Sequence, residues 1–220
     1  MRRQRRGAAG QLIVSATREE VMAAVERLSP DLGWAEVSGM VRPVFPRRRP
    51  QPPGAEPGVL VERGPGLRVG LGIDIGPAFL HVTPSLLDSW QISFDECWQV
   101  GLDNLRQRVD ARRYEVLEYE EIGGVPVWWF QSGEGWASTL LLLEDELHKR
   151  YGDEPRLLFA PMRDLLLAAP FDADREIIAF LQDEISQEDP NGLDLPILAL
   201  VEGSLEIDAG LDQPEAAMVH

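Results

Sequence analysis

The sequence predicts an α+β fold in which antiparallel sheets are built from successive strand–strand–helix units, with the helices packed on one face. Two observations support this class. Segments with alternating apolar residues occur in pairs, and each pair precedes a segment with the apolar spacing of an amphipathic helix. That order recurs over residues 67–109, 114–150 and 157–188, without sequence identity between the three units.

Residues 1–57 are predicted to be a basic N-terminal arm outside the main domain. Thr17 and Glu20 have the spacing of a capping box, which predicts a short helix that Ser29-Pro30 ends. Residues 42–57 contain six prolines. Because proline lacks the backbone donor that regular structure requires, we expect this stretch to be an exposed Pro/Arg-rich linker with no packed element.

Residues 58–208 are predicted to form a single α+β domain. It begins with three short strands, expected as an antiparallel meander over residues 59–62, 67–75 and 78–82. Ser93 and Glu96 form a second capping box, which predicts a helix to about residue 109. Cys97 lies on the apolar stripe of that helix, so we interpret it as a buried, inert thiol.

The rest of the domain is predicted from turn and helix signals. Gly123-Gly124 indicates a hairpin between strands over residues 114–122 and 125–131, and a helix is expected over 137–150. The apolar run LLFAPMRDLLLAA is interpreted as two strands joined by a turn at Pro161-Met-Arg-Asp164. A helix over about 174–188, a strand over 196–201 and a disordered acidic tail over 209–220 complete the chain.

Charge and composition exclude several classes of function. The net charge is −16, and residues 67–220 carry 30 acidic against 10 basic residues, so a nucleic-acid partner is not expected. No apolar stretch reaches the roughly 20 residues of a membrane span. A single cysteine favours a reducing, cytoplasmic location. The histidines lack the spacing of metal ligands and no phosphate-binding loop motif occurs, so we expect no metal and no cofactor.

Three segments resemble the YtpQ-like family of uncharacterised bacterial proteins. They are GIDIGPAFLHVT, the helix end GLDNL, and GEGWASTLLLL running into LLFAPMRDLLLAA, and the resemblance covers roughly residues 58–200. The resemblance implies no established activity. It marks five positions for attention, namely Asp74, Asn104, Ser138, Arg163 and Asp164.

Arg163 and Asp164 are the most informative candidates, because both are charged and lie within an apolar run. In the structural interpretation, Asp164 caps a turn or a helix end while Arg163 binds a carboxylate elsewhere, such as Asp74. In the functional interpretation, Arg163 recognises an anion. Ser138 is either a nucleophile with His81 as its base or a helix cap.

The aromatic residues near position 130 offer a second kind of site. Trp129 and Trp136 are candidates for anchoring a partner, although core packing is the commoner role of such rings. We therefore expect a non-enzymatic, cytoplasmic protein-binding or regulatory module that uses a sheet face or its acidic surface. The alternative is a hydrolase-type enzyme with a polar pocket around four residues, Asp74, Ser138, Arg163 and Asp164.

Overall fold

A computed structural model describes residues 18–28, 32–48, 54–76, 78–111 and 118–211 and confirms the α+β class. The helices are α1 (Arg18–Val25), α2 (Trp34–Val37), α3 (Pro84–Trp90), α4 (Phe94–Ala111), α5 (Glu144–Tyr151) and α6 (Arg175–Glu188). The strands are β1 (Val41–Val44), β2 (Leu60–Glu62), β3 (Arg68–Asp74), β4 (Phe79–His81), β5 (Glu118–Ile122), β6 (Val125–Phe130), β7 (Arg156–Met162), β8 (Leu165–Pro170), β9 (Leu198–Val201) and β10 (Ser204–Ile207). Thr17 and residues 1–10, 114–117 and 212–220 lie outside the described residues, as do the predictions made for them. Ala209–Leu211, at the start of the tail predicted over 209–220, form a 3₁₀ segment.

The smaller sheet has β3 at its centre and is antiparallel throughout. β2, β3 and β4 occur where the sequence predicts strands, but they do not form a simple meander. Gly70 pairs with Val44 of β1 on one side and Leu60 of β2 on the other. Gly72 likewise pairs with β1 and with His81 of β4. β2 and β4 therefore follow each other along one edge of β3, because β1 occupies the opposite edge.

The prediction that residues 42–57 form no packed element is wrong for their first part. All four residues of β1 are buried, and Phe45 after them is fully buried. Arg47 then forms an isolated bridge with Leu193. Pro43 is tolerated because, among the described residues, β1 pairs with β3 alone, so the missing N–H lies on an edge strand of the sheet.

The larger sheet contains six antiparallel strands in the order β10-β9-β7-β8-β6-β5. The β7–β8 hairpin confirms the prediction for the LLFAPMRDLLLAA segment. Met162 pairs with Leu165, so Arg163 and Asp164 occupy the turn between buried strands. At the β5–β6 hairpin, Gly123 and Gly124 have φ values of 61° and 85°, the left-handed conformation that a tight two-residue hairpin requires.

Two hydrophobic clusters lie on opposite faces of the larger sheet. One joins its inner face to β1, β3 and α4, and the other lies beneath α6. The β6 strand shows the division, because Trp128 and Phe130 pack in the first cluster whereas Trp129 packs against the second. This alternation follows from the period of two along a strand.

The helices match the predictions in part. The Ser93–Glu96 capping box is confirmed, since Ser93 N donates to Glu96 Oε2 at 2.8 Å and Glu96 N donates to Ser93 Oγ at 3.2 Å. The α6 helix begins after its Asp174 cap, as expected. The single helix predicted over 137–150 is wrong: a 3₁₀ segment, Ala137–Leu142, precedes α5. There Ser138 N donates to Arg163 O, which ties the segment to the β7–β8 turn.

The three predicted units do not share one arrangement. The first lies in the smaller sheet, and the second and third lie in the larger sheet. The prediction that the helices pack on one face is wrong for the larger sheet, because Leu147 of α5 packs in the first cluster and Ile178 of α6 packs in the second. The sequence did not predict α3, whose Thr83 cap and first-turn Pro84 are ordinary helix-start residues. Within the described ranges, no helix combines the length and apolar character needed to cross a membrane.

Candidate functional site

Asp164 binds the loop that follows β6. Its Oδ1 accepts hydrogen bonds from the backbone N–H groups of Ser132 and Gly135, both at 3.1 Å, and from the Ser132 hydroxyl. Its Oδ2 accepts from Gly133 N at 2.8 Å. Ser132 Oγ in turn accepts from the backbone N–H of Trp136 at 3.2 Å. Both carboxylate oxygens are thus engaged in fixing one loop, a structural role, although this loop is neither the β7–β8 turn nor the helix end that the sequence suggested.

Arg163 lies beside Asp164 but its side chain runs in another direction. The residue is buried, and its Nη2 donates to the carbonyl of Phe45 at 3.3 Å. Its guanidinium carbon lies 5.5 Å from the centre of the Phe79 ring. Burial, with a smaller contribution from Arg47, lowers the pKa of Arg163 to about 10. The carboxylate partner suggested from the sequence, Asp74, is bound by a different arginine.

That arginine is Arg42 of β1, which sequence reasoning missed. It is 1% exposed, and its Nη2 contacts Oδ2 of Asp74 in an ion pair. Burial, and secondarily Arg108, lower the pKa of Arg42 to about 10, while Glu134 opposes that change. The alternation of VRPV would have placed Arg42 on a strand face, but the neighbouring prolines led to the linker interpretation.

Arg108 and Glu134 lie at the solvent-exposed side of this cluster. Arg108 Nη1 lies 2.5 Å from Glu134 Oε2, and its Nη2 lies 3.9 Å from Asp74 Oδ2. About 38% of the Arg108 side chain and 36% of the Glu134 side chain are exposed, against 14% for Asp74. The cluster therefore runs from an exposed ion pair down to a buried guanidinium.

Phe79 and His81 share one face of the smaller sheet with Arg42. Arg42, Gly72 and His81 are directly aligned across β1, β3 and β4. Gly72 leaves room for the Phe79 ring, because a β-carbon on Gly72 would meet Phe79 Cδ1 at 3.1 Å. The guanidinium carbon of Arg42 also lies 5.5 Å from that ring. Burial, then Arg163 and Arg47, lower the pKa of His81, which favours a neutral imidazole.

Three further candidates from the sequence are Asn104, Trp129 and Trp136, and none of them joins this cluster of charged groups. Asn104 Nδ2 donates to the carbonyls of Ser38 and Val41 at 2.7 and 2.9 Å, which ties α4 to β1. Trp136 is buried against Phe130, with ring centres 5.6 Å apart. Trp129 is half-buried.

Ser138 and Cys97 lie within the protein interior. Ser138 is 1% exposed, and among the described residues its hydroxyl has no hydrogen-bond partner. Burial raises the pKa of Cys97 to about 11, which disfavours the reactive thiolate. Within the part of the chain that the structure describes, no group of three or more His, Cys, Asp or Glu residues is placed to hold a metal ion.

The structure thus separates two neighbours in sequence. Arg163 joins Arg42 and Asp74 around Phe79, whereas Asp164 serves the loop after β6. No family model, curated protein or solved structure matches the chain. Membership of the YtpQ-like family accordingly stays a prediction from the residues.

Proposed function

We propose that the protein is a non-enzymatic, cytoplasmic protein-binding module, which binds an extended basic segment of a partner protein along β5. The observation that supports this most strongly is the position of β5 at the end of the six-stranded sheet. No strand among the described residues pairs with its outer edge. An edge of this kind can accept a further strand through main-chain hydrogen bonds.

The hairpin geometry identifies which backbone groups of β5 are available. Ile122 pairs with Val125 across the two-residue turn, so these two residues form the hydrogen-bonded pair that closes the hairpin. Because hydrogen-bonded and non-hydrogen-bonded pairs alternate, Glu121 and Tyr119 direct their N–H and C=O groups away from β6. Glu121 and Tyr119 therefore each offer one backbone N–H and one C=O to a partner strand.

Side chains along β5 define the chemistry of that partner. Tyr119, Glu120 and Glu121 are all exposed, and Tyr119 is 58% exposed. The Tyr119 ring lies 5.7 Å from the Trp128 ring, over which the Arg156 guanidinium stacks at 4.5 Å. Tyr119 and Glu121 lie on one face of β5 and Glu120 lies on the other. A carboxylate on each face, one of them beside a supported aromatic ring, favours a segment that carries Lys or Arg.

The opposite edge of the six-stranded sheet is formed by β10, and it is less available to a partner strand. Leu205 of β10 donates its backbone N–H to Glu144 Oε1 at 3.2 Å. A side chain therefore already occupies an outward donor of β10, a common way of blocking an edge strand. This contrast favours β5 as the edge that accepts a partner.

The hydrolase alternative has weaker support from the geometry. Both oxygens of Asp164 bind the loop after β6, and Asp74 is paired with Arg42. Ser138 is buried, so a substrate would need to reach the protein interior to meet its hydroxyl. Three of the four proposed catalytic groups therefore have a structural role or an inaccessible position.

A short peptide binding assay tests the proposal. The probe is a labelled peptide of alternating Lys and Val, which favours an extended conformation. The control peptide alternates Lys with Pro, so half of its residues lack the N–H that a paired strand donates. Glu121→Pro removes one outward N–H and should weaken binding of the first peptide at least about fivefold. Glu121→Gln removes the same charge but keeps the N–H, and it should weaken binding less. Equal binding of both peptides would contradict strand pairing.

A further inference from the structure

The face of the smaller sheet that carries Phe79 contains buried cationic groups that the proposed function does not use. Arg42 and Arg163 are 1% and 7% exposed. Within the described ranges, Nε and Nη1 of Arg42 and Nε of Arg163 are buried without a hydrogen-bond partner. Leaving such donors unpaired is costly, most of all on a charged group.

The guanidinium groups that carry these donors both approach the ring of Phe79. Both guanidinium carbons are 5.5 Å from the centre of the same ring, that of Phe79, so they are at most 11 Å apart. Arg42 reaches this position from β1, and Arg163 reaches it from the β7–β8 turn. Two fork-shaped donor groups from different layers of the protein thus approach one aromatic side chain.

The local charge is positive in a chain whose net charge is −16. Arg42 interacts electrostatically with Arg108, and Arg163 interacts with Arg47, while Asp74 and Glu134 are the carboxylates paired with Arg42 and Arg108. Four arginines against these two carboxylates and Asp164 leave a surplus of one positive charge. The third nearby carboxylate, Asp164, is directed toward backbone N–H groups of the loop after β6.

We propose that Arg42 and Arg163 together bind the phosphate group of a small phosphorylated molecule. A phosphate monoester carries about −1.5 to −2 charges at neutral pH, opposite in sign to this surplus, and offers three acceptor oxygens. Arginine suits this group because its planar fork donates two parallel hydrogen bonds. Water would satisfy the unpaired N–H groups but would leave the charge surplus in place.

The exposed side of the cluster gives the ligand an entry direction. Arg108 and Glu134 are more than one-third exposed and lie between solvent and Asp74. We infer that phosphate entry loosens the Arg108–Glu134 ion pair, since an exposed pair of this kind contributes little to stability. The depth of Arg42 and Arg163 favours a small molecule over a phosphorylated protein side chain. This site is separate from the β5 edge and does not rest on the proposed function.

Titration calorimetry on the full chain tests the site, with inorganic phosphate, glycerol phosphate and a phosphoserine peptide as probes at constant ionic strength. Wild type should bind the first two saturably, and Arg163→Gln should weaken that binding at least about tenfold through loss of charge-assisted hydrogen bonds. Arg63→Gln is the matched control, because Arg63 also stacks on a ring, Trp98 at 5.3 Å, and pairs with an aspartate. The Arg63→Gln variant should bind inorganic phosphate and glycerol phosphate with the affinity of wild type.

A second variant keeps the test decisive if Arg163→Gln does not fold. Arg163→Lys retains the charge but loses the fork, so we expect affinity between those of wild type and Arg163→Gln. No saturable phosphate binding tighter than about 10 mM would overturn the proposal. Equal weakening by the Arg63 control, or binding of the phosphoserine peptide alone, would overturn it as well.

Discussion

The Asp164 carboxylate accepts a hydrogen bond from the backbone N–H of Gly135, 3.1 Å away and 29 positions earlier in the chain. Gly135 has a φ of 77°, a conformation that L side chains rarely adopt. The β7–β8 turn therefore fixes a loop in which glycine occupies the left-handed position without steric cost. Arg163 and Asp164 are adjacent, yet they stabilise different parts of the protein.

Asp164→Ala should lower the free energy of unfolding by about 3 kcal/mol, because several backbone donors lose a charged acceptor in a buried position. Asp164→Asn should lower it less, since the amide oxygen retains part of the acceptor capacity. Urea unfolding measures both values. Asp183→Asn is the control: Asp183 forms an exposed ion pair with Arg48 and should change stability by less than about 0.5 kcal/mol. A similar small change for Asp164→Ala would refute this role.

Gly101 on α4 allows close packing of that helix on the smaller sheet. A β-carbon at this position would lie 2.9 Å from Cδ2 of Leu71 and 3.5 Å from Cγ1 of Val41. Gly101→Ala should therefore destabilise the protein by about 1–3 kcal/mol through overpacking. This loss opposes the helix preference for alanine, which is worth about 1 kcal/mol.

Thermal or urea unfolding of Gly101→Ala checks this value against Gly39→Ala. A β-carbon on Gly39 would meet nothing within 4 Å, so that control should be close to neutral. An increase in stability for Gly101→Ala would show that α4 lies farther from β3 than the structure places it.

His81 should make stability depend on pH. Its pKa is lowered in the folded protein, chiefly by burial and then by Arg163 and Arg47, so the unfolded chain binds a proton more readily. Stability is therefore fully present above the ordinary imidazole pKa of about 6.5 and declines as the pH falls through that value. His81→Gln cannot titrate and should lose less stability than wild type between about pH 7.5 and 5.5.

Urea midpoints at the two pH values provide the measurement. His148→Gln is the control, because His148 lies beside Asp153 with about half of its side chain exposed. The control should follow the wild-type pH dependence. If His81→Gln also follows it, the imidazole is not held neutral by its surroundings.

Elements whose signals lie in neighbouring residues could be predicted from the sequence, whereas an element that depends on pairing with a distant strand could not. Alternation and turn residues were sufficient for the β7–β8 hairpin, and the Ser93–Glu96 box was sufficient for the start of α4, because both depend on neighbouring residues. The β1 strand was missed because its stability comes from pairing with β3, about 30 residues later, which overrides the local effect of Pro43.

The candidate site could be predicted only in part, because its contacts also join residues that are distant in sequence. Asp74 and Arg163 were singled out from their sequence surroundings, but the arginine that binds Asp74 lies in β1 and could be found only after that strand was recognised. A structural role for Asp164 was an expected alternative. Its partner loop was not, because residues 132–135 contain no signal that points to a turn 30 positions away.

Amide hydrogen exchange at β5 tests the central claim, that this strand accepts a partner strand, most directly. In the free protein, the outward N–H groups of Tyr119 and Glu121 should exchange rapidly, while that of Glu120, directed toward Val127, should be protected. Adding the Lys-Val peptide should slow exchange at Tyr119 and Glu121 at least about tenfold, and the Lys-Pro peptide should not. Unchanged exchange at both residues while the peptide is bound would contradict the account.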